Sequence, residues 1–424
     1  MIWQTKGKCE NWHRIAWWLC VVTLPWADQV NTACLVLLTI VWIAEGDFKL
    51  KWQRLKAATW SWPFLFYYFL LMAGILYTQD AENGFFMLEK KITIFMLPVI
   101  AATGRQVDEK FGGILKRSFV YSCSIVVLLC LAGASYSYFL SNPIANFDIR
   151  SNANFMSLHP GVSPAWMYFS YIQLASWMGI HPGYLSMYLV FCLVILFTES
   201  YHSRMEQRIH VFIGLVIVGF LILLATRMAI VAFICSSVYL SIKKTQEKQI
   251  KAILPLLSVV LIGIILAWLN PVAKFRLIEE PMGTTYHLDR GITNWNSVSF
   301  RLLEWQGSWS VIRAHWFAGV GKGGGKNALD NFYAHYNSST VDLGLNAHNQ
   351  YLQTWMESGL LGALTFLLCL TIGLFKLGNN LGYVSFILIF SLMCLTESIG
   401  ERQKGIVFFM LFQVLFLGLI KSAK

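Results

Sequence analysis

Two arginines and one histidine are the residues of this 424-residue chain that are best suited to chemistry. Arg227 lies between two apolar runs, Arg301 lies in a segment with helical spacing of apolar residues, and His348 directly precedes a long apolar run. Guanidinium groups bind phosphate oxygens through paired hydrogen bonds, and neutral imidazole accepts protons near neutral pH. Together they suggest anion binding combined with removal of a proton from a hydroxyl group.

Each of the three residues also has a purely structural interpretation. Arg227 could reach lipid phosphates from an interfacial position. Arg301 could form a surface ion pair with Glu304, three residues later. His348, which stands beside Asn349, could simply cap the helix that follows. The sequence leaves these alternatives open.

Four further residues are weaker candidates for substrate binding: His181, Lys322, Asn349 and Trp305. His181 precedes a proline at the start of an apolar run, a setting more typical of a structural residue. Trp305 could stack on a sugar ring or anchor the chain at a membrane surface. Lys322 lies in a glycine cluster, 319–325, that lacks the strand and the Gly-Lys-Ser/Thr ending of a phosphate loop. We predict a flexible turn there, with Lys322 adding positive potential.

A metal site has little support in the sequence. Asp80 and Glu82 form the one carboxylate pair that could hold a divalent ion. No His or Cys spacing typical of a metal site accompanies them. We therefore predict chemistry without a metal or another cofactor.

The elements that must position these residues are very apolar. The chain is 56% hydrophobic and 13% charged, whereas about a quarter of the residues in a soluble domain are charged. Its aromatic content of 15% is typical of the interfacial belts of membrane proteins. The nine cysteines lie mostly in or beside apolar runs, so we interpret them as small core residues. The net charge of +11 is better explained by basic cytoplasmic loops than by nucleic-acid binding.

The apolar runs predict an all-α polytopic membrane protein. A transmembrane helix needs roughly 17–25 apolar residues. Twelve segments are candidate spans, several of them short: 14–27, 31–45, 60–77, 91–103, 118–140, 183–198, 209–225, 227–242, 252–269, 349–375, 382–396 and 405–420.

The chain then divides into three parts. Residues 1–269 hold the first nine spans, 270–348 form a large loop that carries Arg301 and His348, and 349–424 hold the last three spans. Within the loop we predict a helix from Phe300 to Ile312 and an irregular segment over 326–345.

The basic residues predict the orientation. Most of the 33 Lys and Arg residues fall in short segments that lie on one side if both termini are cytoplasmic. The two long loops, 141–182 and 270–348, then lie outside. The predicted site is therefore composite: Arg227 comes from a helix end and the other two residues come from the second loop.

Five motifs carry a resemblance to a known family: TR (226–227), RLLEW (301–305), GVGKG (319–323), AHNQYLQ (347–353) and ESGLLG (357–362). In order, spacing and predicted outer location, they resemble the bacterial O-antigen ligase and O-antigen polymerase superfamily of membrane glycosyltransferases. The resemblance is strongest over about 210–375. It implies a fold of many transmembrane helices with a large, partly helical periplasmic loop.

The resemblance also implies an activity. The expected donor is a glycan on undecaprenyl diphosphate, and in the ligases the acceptor is a sugar of the lipid A–core. By position, Arg227 and Arg301 match the arginines that engage the diphosphate, and His348 matches the proposed general base of a metal-independent, inverting transfer. The expected location is the periplasmic face of the bacterial inner membrane. The segment after the glycine cluster varies in the family, so the resemblance does not carry over an acceptor, and it gives no oligomeric state.

Two other activities in the same class remain open. A polysaccharide polymerase and a protein O-oligosaccharyltransferase would use a similar donor and the same residues. A lipid-linked glycan transporter is less favoured, because its charges would follow a path through several helices. In this chain the charges cluster at one predicted face.

Overall fold

The structure is a computed structural model of the chain. It describes residues 2–105, 107–140, 155, 159–199, 203–246, 268–284, 296–335 and 344–419, the isolated residues 260, 261, 263 and 265, and side chains from residue 11 onward. The described residues are predominantly helical and include no β-strand, which confirms the all-α prediction. The eight described cysteines are free.

Fifteen helices of ten residues or more are described. They are α1 (Ile2–Val22), α2 (Asp28–Ala44), α3 (Phe48–Ala57), α4 (Trp62–Ile75), α5 (Ala81–Lys90), α6 (Thr93–Thr103), α7 (Glu109–Phe139), α8 (Pro182–Thr198), α9 (Arg204–Leu224), α10 (Arg227–Gln246), α11 (Ser297–His315), α12 (Gly325–His335), α13 (Gln350–Thr371), α14 (Leu381–Met393) and α15 (Gln403–Leu419).

Shorter helical pieces connect them. These are Thr59–Ser61, Ala165–Tyr168, Tyr171–Ala175, Ser176–Met178, Pro271–Lys274, a π-helical turn at Phe275–Glu279, Glu280–Met282, Leu374–Leu377 and Ile399–Glu401.

Eleven of the twelve predicted spans coincide with helices, and most of the remaining segment, 252–269, lies outside the described residues. Four described helices are long and apolar enough to cross a membrane: Glu109–Phe139, Arg204–Leu224, Arg227–Gln246 and Gln350–Leu377. Two helix pairs, bent by 78° and 85°, would raise the count to six if each is one span. The full set of twelve spans stays a prediction.

Aromatic side chains from four helices form the centre of the main core. Phe119 of α7, Phe191 of α8 and Phe412 of α15 contact one another, with ring centroids 4.8 Å and 4.9 Å apart for the pairs that include Phe412. Phe386 of α14 lies 5.2 Å from Phe191. These rings are fully buried, so α7, α8, α14 and α15 pack tightly against one another.

A second, smaller core holds α11 against α12 and α13. Its buried residues with the lowest exposure are Leu303, Ile312, Leu329, Tyr333 and Met356. The predicted irregular segment 326–345 is therefore wrong over its first part, because α12 occupies Gly325–His335. Leu329 and Tyr333 are four residues apart, so one face of this polar segment is apolar enough to pack.

The glycine cluster is a packed segment, not the flexible turn that we predicted. Helix α13 breaks at Gly359, where φ is +64° and ψ is −168°. The carbonyls of Met356 and Glu357 accept hydrogen bonds at 2.9 Å and 3.0 Å from the backbone N–H groups of Val320 and Gly321. The cluster thus satisfies backbone groups near the break in α13.

Candidate active site

A cavity of about 250 Å³ lies where α8, α10, α11 and the segment before α15 meet. Three arginines line it, Arg227, Arg276 and Arg301, together with His181, Trp305 and Glu397. Thr226 and Met228 extend one wall. Two residues predicted from the sequence to bind an anion therefore share one cavity.

Arg227 is held at the start of α10 by three groups. Its Nε donates to the carbonyl of Arg276 (2.5 Å), and its two terminal nitrogens donate to Ser297 Oγ (3.0 Å) and Glu280 Oε2 (2.5 Å). Glu280 is buried. These protein contacts argue against free snorkelling to lipid phosphates.

Arg301 lies on the first turns of α11. It donates from Nε to the carbonyl of Thr396 (3.1 Å), from NH1 to the carbonyl of Ser297 (3.2 Å) and from NH2 to Glu397 Oε1 (2.8 Å). Its ion pair is with Glu397, not with Glu304 as the structural alternative had it. Burial lowers the pKa of Arg301, but the Glu397 charge outweighs this effect and the net shift is upward.

Ser297 joins the two arginines. Its hydroxyl accepts from Arg227 and its carbonyl accepts from Arg301. The Ser297 N–H and hydroxyl both donate to Glu280 Oε1, at 3.0 Å and 2.8 Å. Asn296 caps α11 just before it, accepting from the N–H groups of Val298 and Ser299. The cap fixes the start of α11. Ser297, at this start, then holds the guanidinium groups of Arg227 and Arg301 through its hydroxyl and its carbonyl.

His348 is tied to the same network through Glu397. Its Nδ1 lies 3.2 Å from Glu397 Oε2, while Nε2 lies 3.8 Å from Glu304 Oε1, beyond hydrogen-bonding distance. The backbone φ of His348 is +38°, in the left-handed region that residues other than glycine rarely adopt. Such strain costs about 1–3 kcal/mol and clusters at functional sites.

Glu397 and His348 shift each other's proton affinity. Burial lowers the pKa of His348, but its hydrogen bond to Glu397 and the charge of Glu304 outweigh burial, so the pKa is raised. Burial raises the pKa of Glu397, but the hydrogen bond and charge of His348, together with Arg301, lower it to about 2. Glu397 is therefore a carboxylate at neutral pH, and it makes the imidazole a stronger base.

Gln350 fixes the segment that carries Glu397. Its backbone N–H donates to the carbonyl of Cys394 (2.8 Å), and its Oε1 accepts from the N–H of Gly400 (2.6 Å). Gln350 is two residues after His348 in the chain. The two hydrogen bonds therefore join the start of α13, just after His348, to the chain before and after Glu397.

The weaker candidates divide into two groups. His181 and Trp305 line the cavity, although His181 Nδ1 also accepts from the Gly183 N–H and caps α8. Asn349, by contrast, caps α13 by accepting from two backbone N–H groups. This leaves the His348 imidazole free of a capping role.

Lys322 lies in a separate buried cluster. Its ammonium is 0% exposed and forms ion pairs with Glu357 (2.5 Å) and Glu401 (2.7 Å). Lys91 completes the cluster through Glu401 (2.5 Å). We therefore leave Lys322 and Asn349 out of the proposed site.

One of the two carboxylates considered for metal binding, Asp80 and Glu82, has a structural role. Asp80 caps α5 by accepting from the Asn83 N–H at 3.0 Å. Among the described residues there is no group of three or more His, Cys, Asp or Glu side chains arranged to hold a metal.

Sequence reasoning missed three residues of the site: Arg276, Glu280 and Ser297. From the sequence, Glu397 could equally orient an arginine, bind substrate or be an ordinary interfacial charge. Arg227 offered a signal that a carboxylate lies nearby, since an arginine near membrane depth needs a counter-charge. Nothing in the sequence indicates which of the loop carboxylates supplies it.

Residues 211–367 match the family model described as O-antigen ligase. The match includes Arg227, Glu280, Ser297, Arg301 and His348, and it ends before Glu397. It confirms the resemblance to the superfamily of O-antigen ligases and polymerases. A comparison with curated proteins finds no match.

The matched family and the apolar helices both point to a membrane setting. Members of the family are glycosyltransferase-like enzymes of glycan assembly that act on lipid-linked glycans in a membrane setting. The match and the apolar helices together indicate that the chain is an integral membrane protein.

Proposed function

We propose that the protein is an O-antigen ligase that transfers a glycan from undecaprenyl diphosphate to a sugar of the lipid A–core. One observation carries the proposal. An unbroken series of hydrogen bonds runs from Glu280 through Arg227, Ser297, Arg301 and Glu397 to His348. It couples anion-binding groups to a proton acceptor beside one cavity.

The arginines act on the leaving group. Arg227 and Arg301 bind the diphosphate of the donor, whose lipid tail stays in the bilayer. When the bond between the anomeric carbon and the phosphate oxygen breaks, negative charge builds up on the diphosphate. Fixed guanidinium groups stabilise that charge in the transition state more than in the bound donor.

His348 acts on the acceptor. Its Nε2 takes the proton from the acceptor hydroxyl as the oxygen attacks the anomeric carbon. Nδ1–H donates to Glu397 throughout, which fixes the tautomer and stabilises the imidazolium that forms. Glu304, 3.8 Å from Nε2, adds negative charge beside it. A single displacement inverts the configuration at the anomeric carbon.

The proposed function includes a membrane topology for the chain. Residues 1–269 and 349–424 supply transmembrane helices, and 270–348 form a periplasmic loop that carries Arg301 and His348. Both termini are cytoplasmic, in the bacterial inner membrane. Support comes from the basic residues of the short loops, which favour the cytoplasmic side.

The acceptor is tested by offering three to the purified protein. The donor is an undecaprenyl-diphosphate glycan, and the acceptors are lipid A–core, a growing lipid-linked glycan and an unfolded protein rich in Ser and Thr. Mass spectrometry identifies the product. We expect glycosylated lipid A–core. A lengthened lipid-linked glycan would instead indicate a polymerase, a glycoprotein an oligosaccharyltransferase, and no transfer to any acceptor would contradict the proposal.

A further inference from the structure

Arg276 is a third arginine of the cavity, and its surroundings differ from those of the other two. It lies in the π-helical turn Phe275–Glu279, a type of turn that is rare and frequent at functional sites. Its side chain lines the cavity and is only 6% exposed. Its carbonyl accepts the Arg227 Nε hydrogen bond, and the two arginine side chains line the same cavity.

The guanidinium of Arg276 is incompletely satisfied. Nε donates to the carbonyl of Ala225 at 3.3 Å, and the guanidinium carbon lies 3.4 Å from the centroid of the Tyr171 ring. NH1 is buried, and within the described residues it has no hydrogen-bond partner. A ring face attracts a cation through its quadrupole only, so it does not neutralise the charge.

The other two arginines each have a carboxylate. Arg227 pairs with Glu280 and Arg301 pairs with Glu397. Arg276 forms no ion pair with any carboxylate in the described ranges, so within them it gives this part of the cavity a positive charge that no carboxylate compensates. Burying an unpaired charge is expensive. The cost is explained if an anion occupies the cavity during function.

We propose that Arg276 is a diphosphate-binding residue that supplies the uncompensated charge of the site. The Arg276 guanidinium donates to a phosphate oxygen, and the bound anion relieves the repulsion between Arg276 and Arg227. Arg227 and Arg301, already paired with carboxylates, then mainly orient the diphosphate. The inference rests on the proposed function for the identity of the anion.

Tyr171 positions this arginine. Its ring lies beneath the guanidinium, and its backbone φ is +50°, again in the left-handed region. A tyrosine held at this φ is strained, and in this conformation its ring lies against Arg276. The contact keeps the guanidinium at the cavity wall while no anion is bound.

The test measures binding of inorganic pyrophosphate to the purified full-length chain in detergent. Arg276→Met removes the charge and the donors but keeps an unbranched side chain. We expect its affinity for pyrophosphate to fall about tenfold or more, the loss typical for a charge-assisted hydrogen bond. The unfolding temperature without pyrophosphate should stay the same or rise, because an unpaired buried charge is gone. Arg313→Met, an exposed arginine of α11, is the matched control and should bind as wild type.

Two results would overturn the proposal. One is undiminished pyrophosphate binding by Arg276→Met. The other is a clear loss of stability without the anion, since it would mean that the charge serves the fold. If the methionine variant cannot be purified, Arg276→Lys decides. We expect it to fold and to bind pyrophosphate more weakly than the wild type, and wild-type affinity would refute the idea.

Pyrophosphate binding is measured independently of glycan transfer. If no acceptor is glycosylated but pyrophosphate binding depends on Arg276, the anion site stands and the proposed function fails. If glycan transfer proceeds but Arg276→Met binds pyrophosphate as tightly as the wild type, only the role of Arg276 is refuted.

Discussion

At the scale of residues, two shared residues, Glu397 and Ser297, link the charged groups of the candidate site. Glu397 contacts Arg301 with one oxygen and His348 with the other. Ser297 likewise contacts both arginines. A change at either shared residue should therefore affect anion binding and proton transfer together.

The pH dependence of transfer tests the pairing of His348 with Glu397. A general base must be neutral to act, so activity rises with pH through the pKa of His348. Glu397→Gln removes a group that raises this pKa, whereas Glu304 and Arg301 remain. We expect the acid limb of the kcat/KM profile to move to lower pH, with a lower maximum. An acid limb at the wild-type position would contradict the pairing.

The geometry of Arg301 can be separated from its charge. Arg301→Lys keeps a cation but cannot hold Ser297, Thr396 and Glu397 at once, as the three guanidinium nitrogens do. We expect at least a tenfold fall in kcat/KM, since loss of a hydrogen bond to a charged group costs about 1.5–3 kcal/mol. Steady-state transfer rates measure it, and Arg313→Lys on the same helix is the control. Equal rates for the two variants would show that charge alone suffices.

At the scale of elements, the glycine cluster fixes the helices that carry the site. Gly323 has a φ of +96°, and a Cβ there would meet backbone atoms of Asp80 and Gly84 at 2.5 Å. The cluster therefore packs directly against α5 while its neighbours bond to the broken helix α13. Substrate contact is not needed to explain these glycines.

Gly323→Ala should destabilise the protein without touching the cavity. Backbone strain alone costs about 1–3 kcal/mol, and the steric contacts add to it. We expect a lower unfolding temperature in detergent. Gly219→Ala in α9 is the matched control, because no atom lies within 4 Å of a Cβ there and its φ is not positive. Unchanged stability in Gly323→Ala would contradict the packing described above.

The helices themselves follow from the sequence, but the contacts of the site do not. Apolar runs located α8, α10 and α13, and helical spacing located α11, because each pattern is local. Arg227 and Glu280 are 53 positions apart, and Arg301 and Glu397 are 96 apart. Such pairs depend on how distant segments fold together. Helix α12 was missed because its apolar face comprises few residues, and these become buried only against α11 and α13.

At the scale of the whole molecule, a second charge cluster joins distant parts of the chain. Glu401 pairs with Lys322 of the glycine cluster and with Lys91 near the start of α6. Burial raises the pKa of Glu401, but the two lysines lower it to about 2. Glu401 lies four residues after Glu397, so this cluster anchors the segment that holds Glu397.

Removing Glu401 should weaken this anchor. Glu401→Gln leaves Lys91 without its described carboxylate, and breaking a buried ion pair costs about 3–5 kcal/mol. We expect a clear fall in unfolding temperature, measured in detergent. Glu82→Gln, at an exposed position on α5, should have no effect. A Glu401→Gln protein as stable as wild type would show that the cluster does not hold the fold.

The predicted orientation has its own test. Single cysteines at Lys326 and Lys110, both exposed, should react differently with a membrane-impermeant maleimide. We expect Lys326→Cys to be labelled in intact cells and Lys110→Cys only after permeabilisation, above the background of the unaltered protein. The reverse pattern would place the site on the cytoplasmic side and contradict the proposed topology.

The variant His348→Ala tests most directly whether the network from Arg227 to His348 performs glycan transfer. The purified variant is compared with wild type in transfer from an undecaprenyl-diphosphate glycan to lipid A–core. General-base catalysis contributes about 10²–10⁴-fold, so we predict a loss of turnover in that range with pyrophosphate binding retained. Near-normal turnover by His348→Ala would contradict the account.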